Sequence, residues 1–242
     1  AWTLLNPLTM ISGYLTVARG TFDTGGQAVD IRRFIADSGE PRTILLNDST
    51  ITLGQYWFMK NTTNLTFDAG TSTILWNAGN TLSFEGGDAT FHHLQALIPS
   101  GTGYLRGETT FQSIVKTGEG ELRVEDAFQV EDDLALTEGS LTLRGTSTLG
   151  SLTLSSGTIV ALKAGVTQTV GAIGGDFTGV TTILESTTPG SQATLSQATG
   201  AVCLEYAQIT DIAATGGATF HAAESIDGGN NDGWTFGPCG GD

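Results

Sequence analysis

The sequence predicts an all-β fold, a right-handed parallel β-helix or β-solenoid with about 18–20 residues per coil and capped ends. Three observations predict it: short runs of alternating apolar and small polar residues, the return of these runs at a near-constant interval, and a composition rich in glycine and threonine. The 242 residues include 34 Gly and 38 Thr but only 3 Lys, and 14% are charged. Helical surfaces laced by ion pairs need more charge, so strands with threonine-rich outer faces are favoured.

The alternating runs mark the strands. Residues 51–53, 65–67, 141–143 and 152–154 each place a threonine between two apolar residues. Alternation of this kind buries one face of a strand and leaves the other in water. Residues 30–35 fit either a strand or a short amphipathic helix, and the strand is the favoured interpretation.

The strand unit recurs along the middle of the chain. Two registers of this repeat agree with each other. In the second register, FHHL at 91–94 is echoed by FQSI at 111–114 and more loosely by LGSL at 149–152. One coil of a parallel β-helix has about this length, and coils stacked about 4.8 Å apart align like residues into internal ladders. In the first register, a glycine precedes an aliphatic residue by two positions and successive aliphatic residues lie 17, 19 and 18 residues apart: Gly103/Leu105, Gly120/Leu122, Gly139/Leu141 and Gly157/Ile159.

The chain is predicted to form a single β-solenoid domain over residues 1–242, since no linker or change of composition divides it. Residues 1–40 are expected to form the N-terminal cap and first coils, 41–200 the regular coils, and 201–242 the C-terminal strands and cap. The end segments differ from the middle, as covering the two open ends of a strand stack requires.

Charge and hydropathy exclude two classes of partner. The formal net charge is −15 and the sequence pI is about 4.3. A surface of this sign repels a polyanion, so nucleic acid is not an expected partner. No run of 18 apolar residues occurs, so no membrane span is expected.

Several segments together resemble secreted and virion-associated β-solenoid proteins, found in the tail fibres of tailed bacteriophages and among bacterial surface adhesins. The resemblance implies an extracellular protein of a virion surface or a bacterial cell surface, with a structural or adhesive role and no catalytic motif. Exposed ends and faces also favour a homo-oligomer, and neighbouring surface proteins or cell-surface glycans are expected partners. The matching segments are GTFDTGG at 20–26, RTILLNDSTITL at 42–53, STTPGSQATL at 186–195, ATGGATF at 214–220 and NNDGWTF at 230–236.

The best candidate for glycan binding is the aromatic run Tyr56, Trp57 and Phe58. Sugar faces stack on exposed rings, and three consecutive aromatic residues on an alternating strand expose at least one ring. The alternative is a large plug packed in a corner of the fold.

Asp227, Asn230 and Asp232 are the candidate metal ligands. They supply oxygen atoms at a spacing that a structural Ca²⁺ loop can use, although the glutamate that ends an EF-hand loop is missing. The alternative is a turn in which these side chains bond their own backbone. No other cofactor is expected.

The two cysteines, Cys203 and Cys239, are far apart in sequence and have no metal-site spacing. They are either two independent thiols or one disulfide that ties the C-terminal end. A disulfide fits an oxidising exterior.

The main functional alternative is a polysaccharide hydrolase or lyase on the same scaffold, which needs a close pair of carboxylates. Alternation places much of the densest acidic stretch on the solvated side of the strands, and a solvated acidic face is the favoured interpretation. His92 and His93 are adjacent, point to opposite faces and do not readily share one ion. No catalytic residue is therefore predicted. The acidic stretch contains Glu119, Glu121, Glu125, Asp126, Glu131, Asp132, Asp133 and Glu138.

Overall fold

The computed structural model describes residues 1–77 and 82–240, and every regular element in that part of the chain is a β-strand. The strands are β1 (Trp2–Thr3), β2 (Leu8–Met10), β3 (Leu15–Thr16), β4 (Gly20–Asp23), β5 (Val29–Ile35), β6 (Arg42–Leu45), β7 (Thr50–Phe58), β8 (Leu65–Asp68), β9 (Thr73–Asn77), β10 (Leu82–Glu85), β11 (Thr90–Leu97), β12 (Thr102–Arg106), β13 (Thr109–Thr117), β14 (Glu121–Val124), β15 (Phe128–Leu136), β16 (Ser140–Leu143), β17 (Ser147–Ser155), β18 (Ile159–Leu162), β19 (Thr167–Asp176), β20 (Thr182–Ser186), β21 (Ala193–Gln197), β22 (Ala201–Glu205), β23 (Ala207–Thr210), β24 (Ile212–Gly216), β25 (Thr219–Ala223), β26 (Ile226–Asp227) and β27 (Trp234–Phe236).

The strands stack in parallel as a β-solenoid of about 11 turns, which confirms the predicted fold. Each central coil contributes to three parallel ladders, which we name by the coil at 109–124: face 1 contains 109–111, face 2 contains 113–117 and face 3 contains 121–124. Parallel pairing needs a long connection between paired strands, and the other two faces of the coil provide it. Residues 30–35 lie in β5, so the favoured strand interpretation is confirmed.

Coil length varies along the stack. The paired residues Leu122, Leu141 and Val160 follow one another at 19-residue intervals, within the predicted range. Phe22 and its partner Ile44 are 22 residues apart, whereas Trp2 and its partner Phe22 are 20 apart, so the N-terminal coils vary in length. The predicted interval therefore describes the central coils best.

One predicted alignment is wrong. The glycine pattern placed Leu105 opposite Leu122, but Gly103 pairs with Leu122, so this step is 19 residues and not 17. A Cβ atom on Gly103 would lie 2.8 Å from Ile98 and 3.0 Å from Trp76. Gly103 therefore lies in the interior, where the large side chains beside it leave no room for a Cβ atom. The glycine pattern had placed it at a corner of the coil.

The same pattern misplaced one later coil by a single residue, since Leu141 pairs with Val160 and not with Ile159. The second register is confirmed, because Phe91 pairs with Phe111 and the rest of 91–94 follows in step. The segment 149–152 lies two coils further along the same ladders.

Aromatic rings fill the interior, or bore, of the N-terminal coils. Trp57 stacks between Phe34 and Phe84, with ring centroids 3.9 and 5.7 Å away. Phe91 stacks on Phe111 at 5.3 Å. All five rings are at most 1% exposed. Burying rings of this size is a large share of the apolar stabilisation of these coils.

Leucine and valine fill the bore of the central coils. Each of these residues pairs with an aliphatic residue one coil away, so continuous columns run along the axis, and burying each side chain contributes roughly 1.5–3 kcal/mol. The columns are Leu105, Val124, Leu143 and Leu162 on face 3 and Leu94, Ile114, Leu134 and Leu152 on face 2.

A buried lysine interrupts the apolar columns. Lys116 is fully buried in the face 2 ladder, and its ammonium group donates to the carbonyls of Gly118, Gly120 and Glu138, the last at 2.7 Å. Burial lowers the pKa of Lys116 to about 8, although the carboxylates of Glu138 and Glu119 oppose the shift. The lysine satisfies carbonyls of the turn after face 2 that water does not reach.

Arg42 has the same function in the N-terminal coils. It is 2% exposed, and its guanidinium group donates to the carbonyl of Ala36 at 2.9 Å and to that of Thr63 at 3.0 Å. Burial lowers its pKa, and Asp37 opposes that effect. Both halves of the stack thus place a cation where corner carbonyls converge.

The C-terminal coils turn their corners with strained residues. Tyr206, Asp211 and Glu224 have φ values of 49°, 59° and 48°. Non-glycine residues adopt this left-handed conformation uncommonly. A disulfide joins Cys203 in β22 to Cys239, with Cα atoms 5.5 Å apart, and ties the closing segment to the stack.

Candidate functional site

The predicted aromatic run is divided between the interior and the surface. Trp57 is 1% exposed and stacks in the bore, so it does not present a ring to a ligand. Tyr56 and Phe58, on either side of it, are half-buried and point outward. The three residues together are therefore not an exposed platform, and the corner-plug interpretation describes Trp57.

Tyr56 instead belongs to a surface cluster, which we call the tyrosine–arginine column: Tyr14, Arg33 and Tyr56 on three successive coils. Arg33 pairs with Tyr56, and Tyr14 precedes Leu15, which occupies the next coil of the same ladder. The guanidinium carbon of Arg33 lies 4.6 Å from the centre of the Tyr14 ring and 5.3 Å from that of Tyr56. Tyr14 is 49% exposed, so the column faces solvent.

A bend in β5 creates the column. The register shifts between Ile31 and Arg33 where the strand turns a corner, and this places two consecutive arginines, Arg32 and Arg33, outside the bore. Arg33 also donates through Nε to the side-chain oxygen of Gln55, which fixes the guanidinium plane. Partial burial, together with the adjacent Tyr14 hydroxyl, raises the pKa of Tyr56, so the Tyr56 ring is a neutral phenol at neutral pH.

A second tyrosine on face 3 is surrounded differently. Tyr104 lies 4.7 Å from the guanidinium carbon of Arg106 and 5.6 Å from that of Arg123. Arg123 makes a 2.7 Å ion pair with Glu121, and Arg106 lies 3.7 Å from Glu85. The cations beside Tyr104 are therefore neutralised by carboxylates.

Glu121 illustrates the structural role of carboxylates in the acidic stretch. Burial raises its pKa, but hydrogen bonds from Arg123, Thr142 and Thr102 outweigh this and lower the pKa overall. The donor from the following coil, Thr142, is 2.6 Å away. Asp133 likewise accepts a 2.5 Å bond from Ser151 of the following coil. These carboxylates join neighbouring coils.

One shallow depression of about 390 Å³ brings carboxylates together. Glu85, Asp88, Glu108 and Asp126 line it, together with Arg106 and Lys60. Asp126 accepts a 2.9 Å bond from the Gly107 amide and Glu85 lies near Arg106, so two of the four carboxylates already have partners.

The candidate metal ligands are engaged in a hydrogen-bonded turn. Asp227 accepts bonds from the Gly229 amide at 2.9 Å and from the side chain of Asn231 at 2.7 Å. Asn230 donates to Asp211 across one coil, and Asp232 accepts a 3.0 Å bond from Gln192. The bond from Gly229 to Asp227 lies within the turn, as the alternative interpretation expects, whereas the bonds of Asn230 and Asp232 join other coils. Calcium binding stays a prediction.

Within the described residues, one group of three His, Cys, Asp or Glu side chains brings its potential ligand atoms within 4.8 Å of one another: Cys203, Glu205 and Cys239. Both sulfur atoms of that group are joined in the disulfide. Oxidised sulfur lacks the thiolate that binds metal ions, so this group is not a metal site as it stands.

Sequence reasoning missed a histidine–serine pair. His93 Nδ1 and Ser113 Oγ lie 2.6 Å apart on paired positions of face 2, and burial lowers the pKa of His93. The signal was present, since the confirmed register of 91–94 with 111–114 places these two residues side by side. His92 and His93 are both half-buried between the buried residues Phe91 and Leu94, so the expectation that they point to opposite faces is wrong. The buried Nδ1 of His92 has no hydrogen-bond partner among the described residues.

Over residues 1–77 and 82–240 there is no helix with the length and hydropathy to cross a membrane. Comparison of the chain with protein-family models, curated proteins and solved structures gave no match.

Proposed function

We propose that this chain is a non-enzymatic extracellular protein with a structural and adhesive role, a component of a bacteriophage virion or of a bacterial cell surface. The observation that carries the proposal is the use of outward polar side chains to join coils. Examples are the bonds from Thr142 to Glu121 and from Ser151 to Asp133. Bonds repeated at the coil interval stiffen a rod, which suits a spacer or fibre segment.

The disulfide between Cys203 and Cys239 supports the extracellular location. Such bonds persist in oxidising environments and are rare in reducing ones. The resemblance to fibre and adhesin solenoids supports the choice of a virion or bacterial surface.

Adhesion is assigned to the tyrosine–arginine column. Glycans bind proteins through rings that stack on their apolar faces and through polar groups beside those rings. Tyr14 and Tyr56 supply the rings, and Arg33 and Gln55 supply the polar groups. This column takes the place that the sequence assigned to Tyr56, Trp57 and Phe58.

Self-association is assigned to the N-terminal coil. Trp2, Leu5 and Ile11 are 55%, 83% and 76% exposed. Apolar side chains that are this exposed favour burial against a second copy. Sedimentation equilibrium is expected to show a homo-oligomer that Leu5→Ser with Ile11→Ser dissociates, and a monomeric wild-type chain would contradict the assignment.

The test of function separates binding from turnover. The protein is incubated with purified bacterial surface polysaccharides, and both retention on the immobilised polymer and release of reducing or unsaturated sugar ends are measured. Retention without release is expected. Release that disappears in Glu108→Gln or Asp126→Asn, at the depression beside Glu85, would overturn the proposal in favour of a polysaccharide-degrading enzyme.

A further inference from the structure

The tyrosine–arginine column differs from its surroundings in charge. The ion pairs between basic and acidic side chains in the described residues are Arg106 with Glu85, Arg123 with Glu121 and Arg144 with Glu125. Arg32 and Arg33 are in none of them. Two adjacent arginines thus lie at the surface without a carboxylate of residues 1–77 or 82–240 within ion-pair distance, in a protein whose net charge is −15.

The acidic charge of the chain is also unevenly distributed. Residues 1–60 carry five basic and five acidic side chains, whereas residues 61–242 carry five basic and twenty acidic ones. A negatively charged ligand is therefore repelled less by the first coils than by the rest of the stack. The arginine pair lies in those first coils.

From this we infer that the column binds an acidic saccharide, a sugar ring bearing a carboxylate, with the two tyrosine rings against the sugar and the carboxylate on Arg33 with Arg32 beside it. The inference rests on the proposed adhesive function and names its ligand class. A guanidinium group and a carboxylate match in geometry and bind through paired charge-assisted hydrogen bonds. The bond from Arg33 to Gln55 orients the guanidinium group before the ligand arrives.

The site has a matched internal control on the same outward column of face 3. Tyr104 lies beside Arg123 as Tyr56 lies beside Arg33, but Arg123 already holds Glu121 at 2.7 Å. An acidic ligand would have to displace that carboxylate. The N-terminal site is therefore expected to bind uronates, and the Tyr104 site is not.

The experiment is calorimetric titration of the whole chain with three uronate oligomers: hexagalacturonate, an alginate hexamer and a hyaluronan hexasaccharide. Each is compared with its methyl-esterified form, which keeps the ring and loses the charge. At least one uronate is expected to bind, more weakly as salt rises, and at least tenfold more tightly than its ester.

Variants locate the site. Arg33→Gln is expected to lower the affinity for the uronate at least tenfold and to flatten its salt dependence. Tyr14→Ala is expected to lower the affinity severalfold. The affinity of the control, Arg123→Gln, is expected to stay within twofold of wild type. Arg33→Lys, which keeps the charge without the planar fork, is expected to restore part of the affinity. Unchanged melting temperatures show that the variants fold.

Three results would overturn the inference. They are equal affinity for acid and ester, equal loss in Arg33→Gln and Arg123→Gln, and no binding of any uronate by the wild-type chain. The first two leave the adhesive proposal standing, because glycan is still bound. The third leaves adhesion to be decided separately by retention on intact surface polysaccharide.

Discussion

The N-terminal and central coils fill one continuous bore by different means. Between Phe34 and Phe111 the interior is largely aromatic, and coil length varies from 19 residues between Leu15 and Phe34 to 27 between Trp57 and Phe84. From Leu122 to Leu162 the interior is mainly leucine and valine, and the coils measured along face 3 are a constant 19 residues. The same bore can therefore be filled either by a few large rings, in coils of variable length, or by many smaller aliphatic side chains, in coils of uniform length.

The largest expected effect distinguishes the two ways of filling the bore. Trp57→Ala is expected to lower the free energy of unfolding by about 4 kcal/mol, and Leu141→Ala by about 3 kcal/mol, because the lost ring leaves the larger cavity. Trp57→Phe should lose about 1 kcal/mol, since the buried indole N–H has no partner among the described residues and its removal leaves no broken bond. Guanidinium unfolding curves measure all three. Equal losses in the two alanine variants would contradict the distinction.

The next effect concerns the C-terminal coils, which a disulfide ties to the closing segment. Replacing Cys203 and Cys239 together by serine removes a loop constraint over 36 residues, which is worth about 3.8 kcal/mol in the chain-entropy model. Because a solenoid coil contacts its neighbours alone, the loss should be local. Hydrogen exchange is expected to speed up in residues 201–240 and to stay unchanged around Leu141. Uniform acceleration along the chain would contradict a local role.

Substitution of Lys116 tests the role of the buried cation in the central coils. Lys116→Met is expected to lower the free energy of unfolding by about 2 kcal/mol at pH 7.5, because three carbonyls lose their donor. Leu136→Met, its neighbour in the same ladder, is the control and should lose under about 1.5 kcal/mol. A variant more stable than wild type would show that burying the charge outweighs the bonds it makes.

Lys116 also makes the free energy of unfolding depend on pH. Folding lowers its pKa from 10.5 to about 8, so between these values the unfolded chain binds more protons than the folded one. The free energy of unfolding contributed by this group therefore rises with pH across that window. The gap between wild type and Lys116→Met should widen from pH 7.5 to pH 10. A constant gap would mean that Lys116 titrates alike in both states.

The smallest expected effect concerns two outward threonines, one that forms a hydrogen bond to the neighbouring coil and one that does not. Thr142→Val in the central coils loses a 2.6 Å bond to Glu121 and should reduce the free energy of unfolding by about 1 kcal/mol. Thr52→Val in the N-terminal coils is the control, since Thr52 makes no side-chain hydrogen bond to another described residue, and it should change stability by less than about 0.5 kcal/mol. Equal changes would show that coil-to-coil bonds add little stiffness.

The same comparison explains what the sequence could predict. The 19-residue coils produced a visible repeat, so the solenoid followed from sequence. The N-terminal coils have no constant interval, and the bend in β5 breaks the alternation so that Arg32 and Arg33 both lie outside the bore. The column of Tyr14, Arg33 and Tyr56 was therefore not predictable. The position of Lys116 was hidden because alternation cannot show that turn carbonyls converge on the bore.

The most direct test of the parallel, in-register stack is a set of distances along face 3. Spin labels are placed at Ser83 and, in turn, at Ala161, Glu185 and Thr210, which lie four, five and six coils away in one outward column. Pulsed electron double resonance is expected to give distances that grow by about 4.8 Å per coil, near 19, 24 and 29 Å. Distances that fail to grow in that order, as two facing antiparallel sheets would give, would contradict the account.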